Sequence, residues 1–308
     1  MREAYRSQVD LLLDVLPLVG QEEGLALKGG TAINLFVRDM PRLSVDIDLT
    51  WLNAGERGDD LAGIAASLDR IKATIEETYQ DVRCHPSGSA SAPEVKLLCE
   101  RQGTQIKIEV NAVLRGHLQP VRLMPCGDRV QDEFGKFVEV PVVAYGELFG
   151  GKICAALDRQ HPRDLFDVRG LLDTEGFSDD VRLGFLAALV SHNRPIAELI
   201  KPNRLDQREA FEKQFAGMAF EEFTYDDHEA TLDRLIGTIQ SGLTSDDRSF
   251  LKSFDACQPD WALYPLTGLD ALPAPRWKLQ NLGKLKEQKP DAWAANLAAL
   301  EDALGGAS

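Results

Sequence analysis

Two aspartates, Asp46 and Asp48, stand in the run Ser44-Val45-Asp46-Ile47-Asp48-Leu49. The strict alternation predicts a strand with both carboxylates on one face and Val45, Ile47 and Leu49 on the other. Like charges this close repel each other and lose solvation. A divalent cation with oxygen ligands relieves both costs, and Mg2+ suits such a site. Upstream, the short apolar run 24–28 ends at Gly29-Gly30, and a helix is predicted from Thr31. A strand, a glycine turn and a helix start let the backbone approach a phosphate and present free N–H groups to it. Downstream, Gln105–Val110 alternates again and sets Glu109 on the face opposite Ile106, Ile108 and Val110. Each feature alone has a plainer reading. D-x-D more often marks the polar face of a half-exposed strand, Gly-Gly a tight turn, and Glu109 a solvated strand residue. Ser44 fits a hydrogen bond beside the metal as well as simple packing. Together, in this order, they make the set that phosphoryl-type transfer needs, which is carboxylates for an ion and a phosphate cradle beside them.

A second block follows at Lys152 and at Asp158-Arg159-Gln160-His161-Pro162-Arg163-Asp164-Leu165-Phe166-Asp167-Val168. Lys152, Arg159 and Arg163 would share one face of an unbroken helix, but Pro162 breaks it. Any convergence must come from the corner between two helices. Lysine as a point charge and arginine as a fork suit a triphosphate. A solvated helix with internal pairs such as Arg163 with Asp167 is the even-handed alternative. His161, beside a proline at a helix start, reads as a cap or packing residue.

The glycine pair, helix and D-x-D strand resemble the signature of DNA polymerase beta-type nucleotidyltransferases. The runs Leu27-Lys28-Gly29-Gly30-Thr31-Ala32 and Arg42-Leu43-Ser44-Val45-Asp46-Ile47-Asp48-Leu49, with the Lys152 and Arg163-Asp164 block, are similar to the AbiEii/AbiGii family of nucleotidyltransferase toxins over about residues 5–240. Fifteen residues separate Gly30 from Asp46, more than in the shortest polymerase beta-type members. The resemblance implies an α+β fold: a polymerase beta-type mixed sheet with flanking helices, followed by a mainly helical C-terminal domain. It implies catalytic roles for Asp46, Asp48, Lys152 and Asp164. Asp46, Asp48 and Glu109 would bind metal, Mg2+ or Mn2+. Gly29, Gly30, Thr31, Ser44, Lys152, Arg159 and Arg163 would contact the NTP. It further implies transfer of NMP to an RNA acceptor, the tRNA 3′ end, with a block of translation, phage defence and a separately encoded antitoxin. Transfer to a small molecule or protein, or non-catalytic binding of a nucleotide or partner, are the alternatives.

These residues need a scaffold. Helical spacing predicts helices at 5–20, 31–39 and 59–80, then strands at 94–100, 104–113 and 136–143, with a loop at 86–93. From 145 the pattern turns helical, with helices at 145–160, 162–173, 178–192, through 205–240, and at 290–304. The proline-rich run 258–278 reads as a loop-rich wrap. Trp261 and Trp277 could stack bases, but their setting points to burial. The expected domains are 1–144, catalytic, and 145–308, mainly helical and recognising the acceptor.

The bulk numbers agree with a cytoplasmic enzyme. The 308 residues are 44% hydrophobic and 27% charged, enough for one large domain or two modest ones. Forty-nine acidic against 34 basic residues leave a net charge of −15, which argues against broad, nonspecific adhesion to nucleic acid but leaves room for a local basic cleft. Five cysteines without C-x-x-C spacing indicate reduced thiols rather than zinc or disulfides. No apolar run reaches the roughly 18–20 residues of a membrane span, and no signal peptide is evident.

Overall fold

A computed structural model describes residues 3–87 and 95–305. Most of the loop expected at 86–93, and the first residue of the strand expected at 94–100, lie outside the described residues. The chain forms two compact units, Met1–Ala144 with Phe215–Glu222, and Tyr145–Gln214 with Phe223–Ser308.

The first unit runs α1 (Glu3–Val19), β1 (Leu25–Lys28), α2 (Gly29–Thr31) continuing as a π-helical turn (Ala32–Val37), β2 (Asp46–Trp51), α3 (Arg57–Thr78), β3 (Arg83–Pro86), β4 (Lys96–Arg101), β5 (Thr104–Asn111), β6 (Arg122–Pro125), α4 (Asp128–Phe134) and β7 (Glu139–Val142). The strands form one mixed sheet in the order β3-β4-β5-β2-β1-β7-β6. β2 lies antiparallel to β1 and parallel to β5. Alternation sends Leu25, Leu27, Ile47, Leu49, Ile106, Ile108 and Val110 into the core. α1 buries Val9, Leu12, Leu13, Leu16 and Val19 at helical spacing, and Leu16 and Val19 line a small cavity with Leu25, Leu27 and Leu49. Lys28, Asp46, Asp48, Lys107 and Glu109 alternate with that apolar set.

The segment 215–222, expected within a helical run, instead returns to the first unit. The Leu43 amide donates to the Met218 carbonyl at 2.9 Å, and the Phe220 amide donates to the Pro41 carbonyl at 2.9 Å. Strands β3 and β6 and helix α4 were not expected. The first two are four-residue strands at the sheet edges, each ending in proline. The helix takes its cap from a distant residue, since the Arg129 amide donates to the Asp39 carboxylate at 2.7 Å.

The second unit is helical: α5 (Tyr145–Arg159), α6 (Pro162–Asp173), α7 (Asp179–Ser191), α8 (Ile196–Ile200), α9 (Arg208–Ala210), α10 (Tyr225–Gly242), α11 (Ser245–Asp255), α12 (Pro273–Gln288) and α13 (Pro290–Ala303). α10 and α11 each start with a threonine–aspartate capping box, Thr224 with Asp227 and Thr244 with Asp247. The loop expected through 278 stops at Pro273, because proline in a first turn loses no hydrogen bond and presets the helical φ. Trp261 packs against Phe250 and Phe254. Trp277 reverses the expectation of burial, since it stands on α12 with 57% of its surface exposed.

α5 and α7 touch backbone to backbone. A Cβ added at Gly184 would lie 1.9 Å from the Gly146 carbonyl oxygen, and one at Gly150 2.2 Å from the Gly184 carbonyl carbon. Overpacking there costs about 1–3 kcal/mol or more, so Gly184→Ala should lower the urea midpoint of unfolding. Gly151 faces open space on the same helix, so Gly151→Ala should stabilise the fold by about 0.5–1 kcal/mol and raise the midpoint. Equal effects of the two substitutions would refute the close crossing.

Candidate functional site

β2 holds the two carboxylates because its period sets them on one face, and its neighbours decide what surrounds them. Lys28 stands opposite Asp48 across the β1–β2 pair. Across the β2–β5 pair, Lys107 stands opposite Asp46 and Glu109 opposite Asp48. Lys96 on β4 stands opposite Glu109. Three ammonium groups and three carboxylates therefore share the polar face. The Glu109 carboxylate is 3.0 Å from Lys96 Nζ and 2.8 Å from Lys107 Nζ. Partial burial would push Glu109 up, but the two lysines outweigh it and hold its carboxyl below the usual range. Burial works against Lys107 too, yet Glu109, Asp46 and Asp48 raise it. At Lys28 burial wins and the pKa falls, in spite of Asp48 and Glu109. Lys28, Lys96 and Lys107 were not among the expected site residues, although the facing of Lys107 is legible from its alternation with Glu109.

The glycine turn is shaped around Asp48. Gly29 adopts φ +73°, a left-handed conformation costly for other residues. A Cβ there would lie 2.7 Å from Asp48 Oδ2. A Cβ at Gly30 would lie 2.9 Å from Arg42 Nη2 and 3.0 Å from Ser44 Oγ. Thr31 and Ser44 are buried. Thr31 Oγ1 donates a short bond to the Asp46 carbonyl and, 3.0 Å from Ser44 Oγ, accepts from that hydroxyl. Both hydroxyls thus tie the turn to the start of β2, and Ser44 precedes the strand instead of opening it.

Asp46 and Asp48 are hard oxygen donors, and the side of Asp48 facing Gly29 has no room for a side chain. That chemistry fits Mg2+, which is commonly held by one or two carboxylates together with substrate phosphates and water. Glu109 stands opposite Asp48 on the neighbouring strand, with its carboxylate between Lys96 and Lys107. Among the described residues no three histidine, cysteine, aspartate or glutamate side chains are grouped to hold an ion.

In the second unit the His161-Pro162 corner does make side chains converge, but on a carboxylate. Asp164, 1% exposed, accepts from Lys152 Nζ at 2.8 Å, from Arg159 Nε at 2.6 Å and from Arg159 Nη2 at 3.1 Å. Asp167 lies 3.0 Å from Lys152 Nζ, so the lysine bridges both carboxylates. Burial alone would push the Asp164 carboxyl up, but Lys152 and Arg159 hold it far below its ordinary value. The Lys152 side chain is only 7% exposed and is committed to two carboxylates, whereas that of Arg159 is 60% exposed. The solvent-facing cation of this set is therefore Arg159. His161 is the N-cap of α6, its Nδ1 accepting from the Arg163 amide at 3.1 Å. Burial lowers its pKa and so favours the neutral ring this cap requires.

Because the folded pKa of Asp164 lies below the unfolded one, its contribution is complete above the unfolded value near 4. It is lost as pH falls toward the folded pKa. Asp164→Asn should cost about 3–5 kcal/mol at neutral pH, since it leaves Lys152 and Arg159 underpaired. It should also flatten the loss of stability below about pH 4, read from urea midpoints. An unchanged acid limb would contradict this account.

The sequence has no match among curated proteins. Among solved structures, the fold is similar to that of MenT4, a nucleotidyltransferase toxin from Mycobacterium tuberculosis H37Rv, with a TM-score of 0.62 over 92% of this chain and 94% of that one. The two are 16% identical, so the likeness concerns the fold. The family described as nucleotidyl transferase AbiEii toxin, type IV TA system, matches residues 10–281. The chain belongs to the AbiEii family, nucleotidyltransferase toxins of type IV toxin–antitoxin systems.

Proposed function

We propose that this toxin transfers NMP from an NTP to RNA, to the 3′ end of tRNA, in a Mg2+-dependent reaction that blocks translation. The observation that carries the catalytic part is Asp46 and Asp48 side by side on β2, with Gly29 held in a backbone that leaves no side chain against Asp48. Asp46 and Asp48 would hold the ion, with Mn2+ able to replace Mg2+. Bound there, it would supply charge neutralisation of the triphosphate and a lowered pKa for the acceptor hydroxyl. Gly29 and Gly30 keep space for phosphates, and Thr31 and Ser44 fix the turn that carries them. Lys28 and Lys107 are the cations beside these carboxylates and offset phosphate charge. For the second unit we assign anion contact to Arg159 and Arg163. Lys152 and Asp164 hold the Arg159 guanidinium in place. Glu109, opposite Asp48 and between Lys96 and Lys107, would complete or support the metal site. Membership of a type IV toxin–antitoxin family supports a separately encoded antitoxin; the RNA acceptor and a role in phage defence in the cytoplasm are part of the proposal. Among the described residues no helix is long and apolar enough to cross a membrane.

The test is incubation with each labelled NTP, Mg2+ and total cellular RNA. Label should enter a tRNA-sized band. Asp46→Ala and Asp48→Ala should each reduce transfer by at least about a hundredfold, more than loss of an outer partner of a metal site. Transfer that is indistinguishable between wild type and Asp46→Ala would sink the proposal, and label entering only small molecules or protein would move the acceptor. Induced expression should arrest growth, and Asp48→Ala should relieve the arrest. Arrest that persists in Asp48→Ala would separate toxicity from this chemistry.

A further inference from the structure

α12 reverses the charge of the chain. Residues 273–289 hold five basic residues and one acidic, in a protein whose acidic residues outnumber the basic by 15. One face of α12 is anchored. Ala274, Pro275 and Lys278 are buried, and Lys278 Nζ donates to the Leu189 carbonyl at 2.9 Å and the Arg194 carbonyl at 2.8 Å. The opposite face carries Trp277, Gln280, Asn281, Lys284 and Gln288 at helical spacing, with Arg276 beside them, all exposed. Lys284 Nζ lies 5.8 Å from the centroid of the Trp277 ring.

A single exposed tryptophan needs no explanation. This one stands among cations and amides, without an acidic neighbour on the face before Glu287. Cations meet phosphates, an exposed indole offers a stacking surface to any base, and amides can donate to and accept from base edges. A membrane surface would call for an apolar stripe on this face, and apart from Trp277 the face is polar. We infer that the outward face of α12 binds RNA, with Trp277 stacking on an unpaired base and Arg276 and Lys284 contacting phosphates. This rests on RNA being the acceptor and names the surface that would hold it.

The experiment measures binding of the full chain to a labelled tRNA fraction at several salt concentrations, beside RNA-labelling kinetics. Trp277→Ala should weaken RNA binding about tenfold, within the range seen for loss of one base stack, and raise the KM for RNA while leaving the KM for NTP unchanged. Trp277→Phe should keep most of the affinity, which a merely structural role on an exposed position would not predict. The double substitution Arg276→Ala and Lys284→Ala should lower the slope of log affinity against log salt by about 1–2, for two lost phosphate contacts. The inference is overturned if wild type fails to bind RNA, if Trp277→Ala binds as wild type does, or if the chain binds phosphatidylserine vesicles through Trp277 and not RNA. RNA bound through α12 without label transfer would refute the RNA-transferase reading and keep this inference. RNA labelling unaffected by either α12 variant would do the reverse.

Discussion

Three carboxylates on one face of a sheet repel one another unless each meets a cation, and that constraint organises the first unit. Two unit charges about 4 Å apart at an effective dielectric of 20 interact by about 4 kcal/mol, so strand register there is an electrostatic matter as much as a packing one. The pairing of β1, β2, β4 and β5 answers it by alternating sign across the ladder: Lys28 beside Asp48, Lys107 beside Asp46, Glu109 between Lys96 and Lys107. A slip of one residue in β2 would turn both aspartates into the core and bring Ile47 and Leu49 out. The hydrophobic face and the charged face therefore enforce the same register.

The second unit solves a similar problem at greater depth. Asp164 and Asp167 are buried, and a buried carboxylate is tolerable only when paired and hydrogen-bonded. Lys152 bridges the two carboxylates, and Arg159 closes on Asp164 with two nitrogens while its side chain reaches solvent. The buried lysine and the exposed arginine thus have different jobs although both pair with one carboxylate. The close crossing of α5 and α7 leaves no slack behind this network, because Gly146, Gly150 and Gly184 bring the two backbones into contact.

Much of this was legible where chemistry and local pattern coincide. The alternation at 44–49 and 105–110 declared β2, β5 and the facing of Asp46, Asp48 and Glu109, and Pro162 declared the start of α6. What escaped depends on distant partners. Nothing local says that Glu109 meets Lys96 from β4, that Lys152 is buried against Asp167, or that α4 borrows Asp39 as its cap. The prolines at 273 and 275 looked like loop chemistry and proved to be helix-start chemistry, which also brought Trp277 to the surface. The family signature reached the motifs around Asp46 and Lys152, while the RNA-binding face we infer on α12 came from charge distribution.

The return of residues 215–222 to the first unit has a consequence for the order of events during synthesis. The loop that leads into β2 is tied at Pro41 and Leu43 by hydrogen bonds to Phe220 and Met218, and Arg42 bridges to Ala219. None of these contacts can exist until the ribosome has made some 75 residues beyond Ala144. Residues 1–144 alone would hold Asp46, Asp48 and Glu109 and still lack the clamp on the approach to Asp46. The nascent chain therefore carries Asp46 and Asp48 long before the support for the start of their strand is complete.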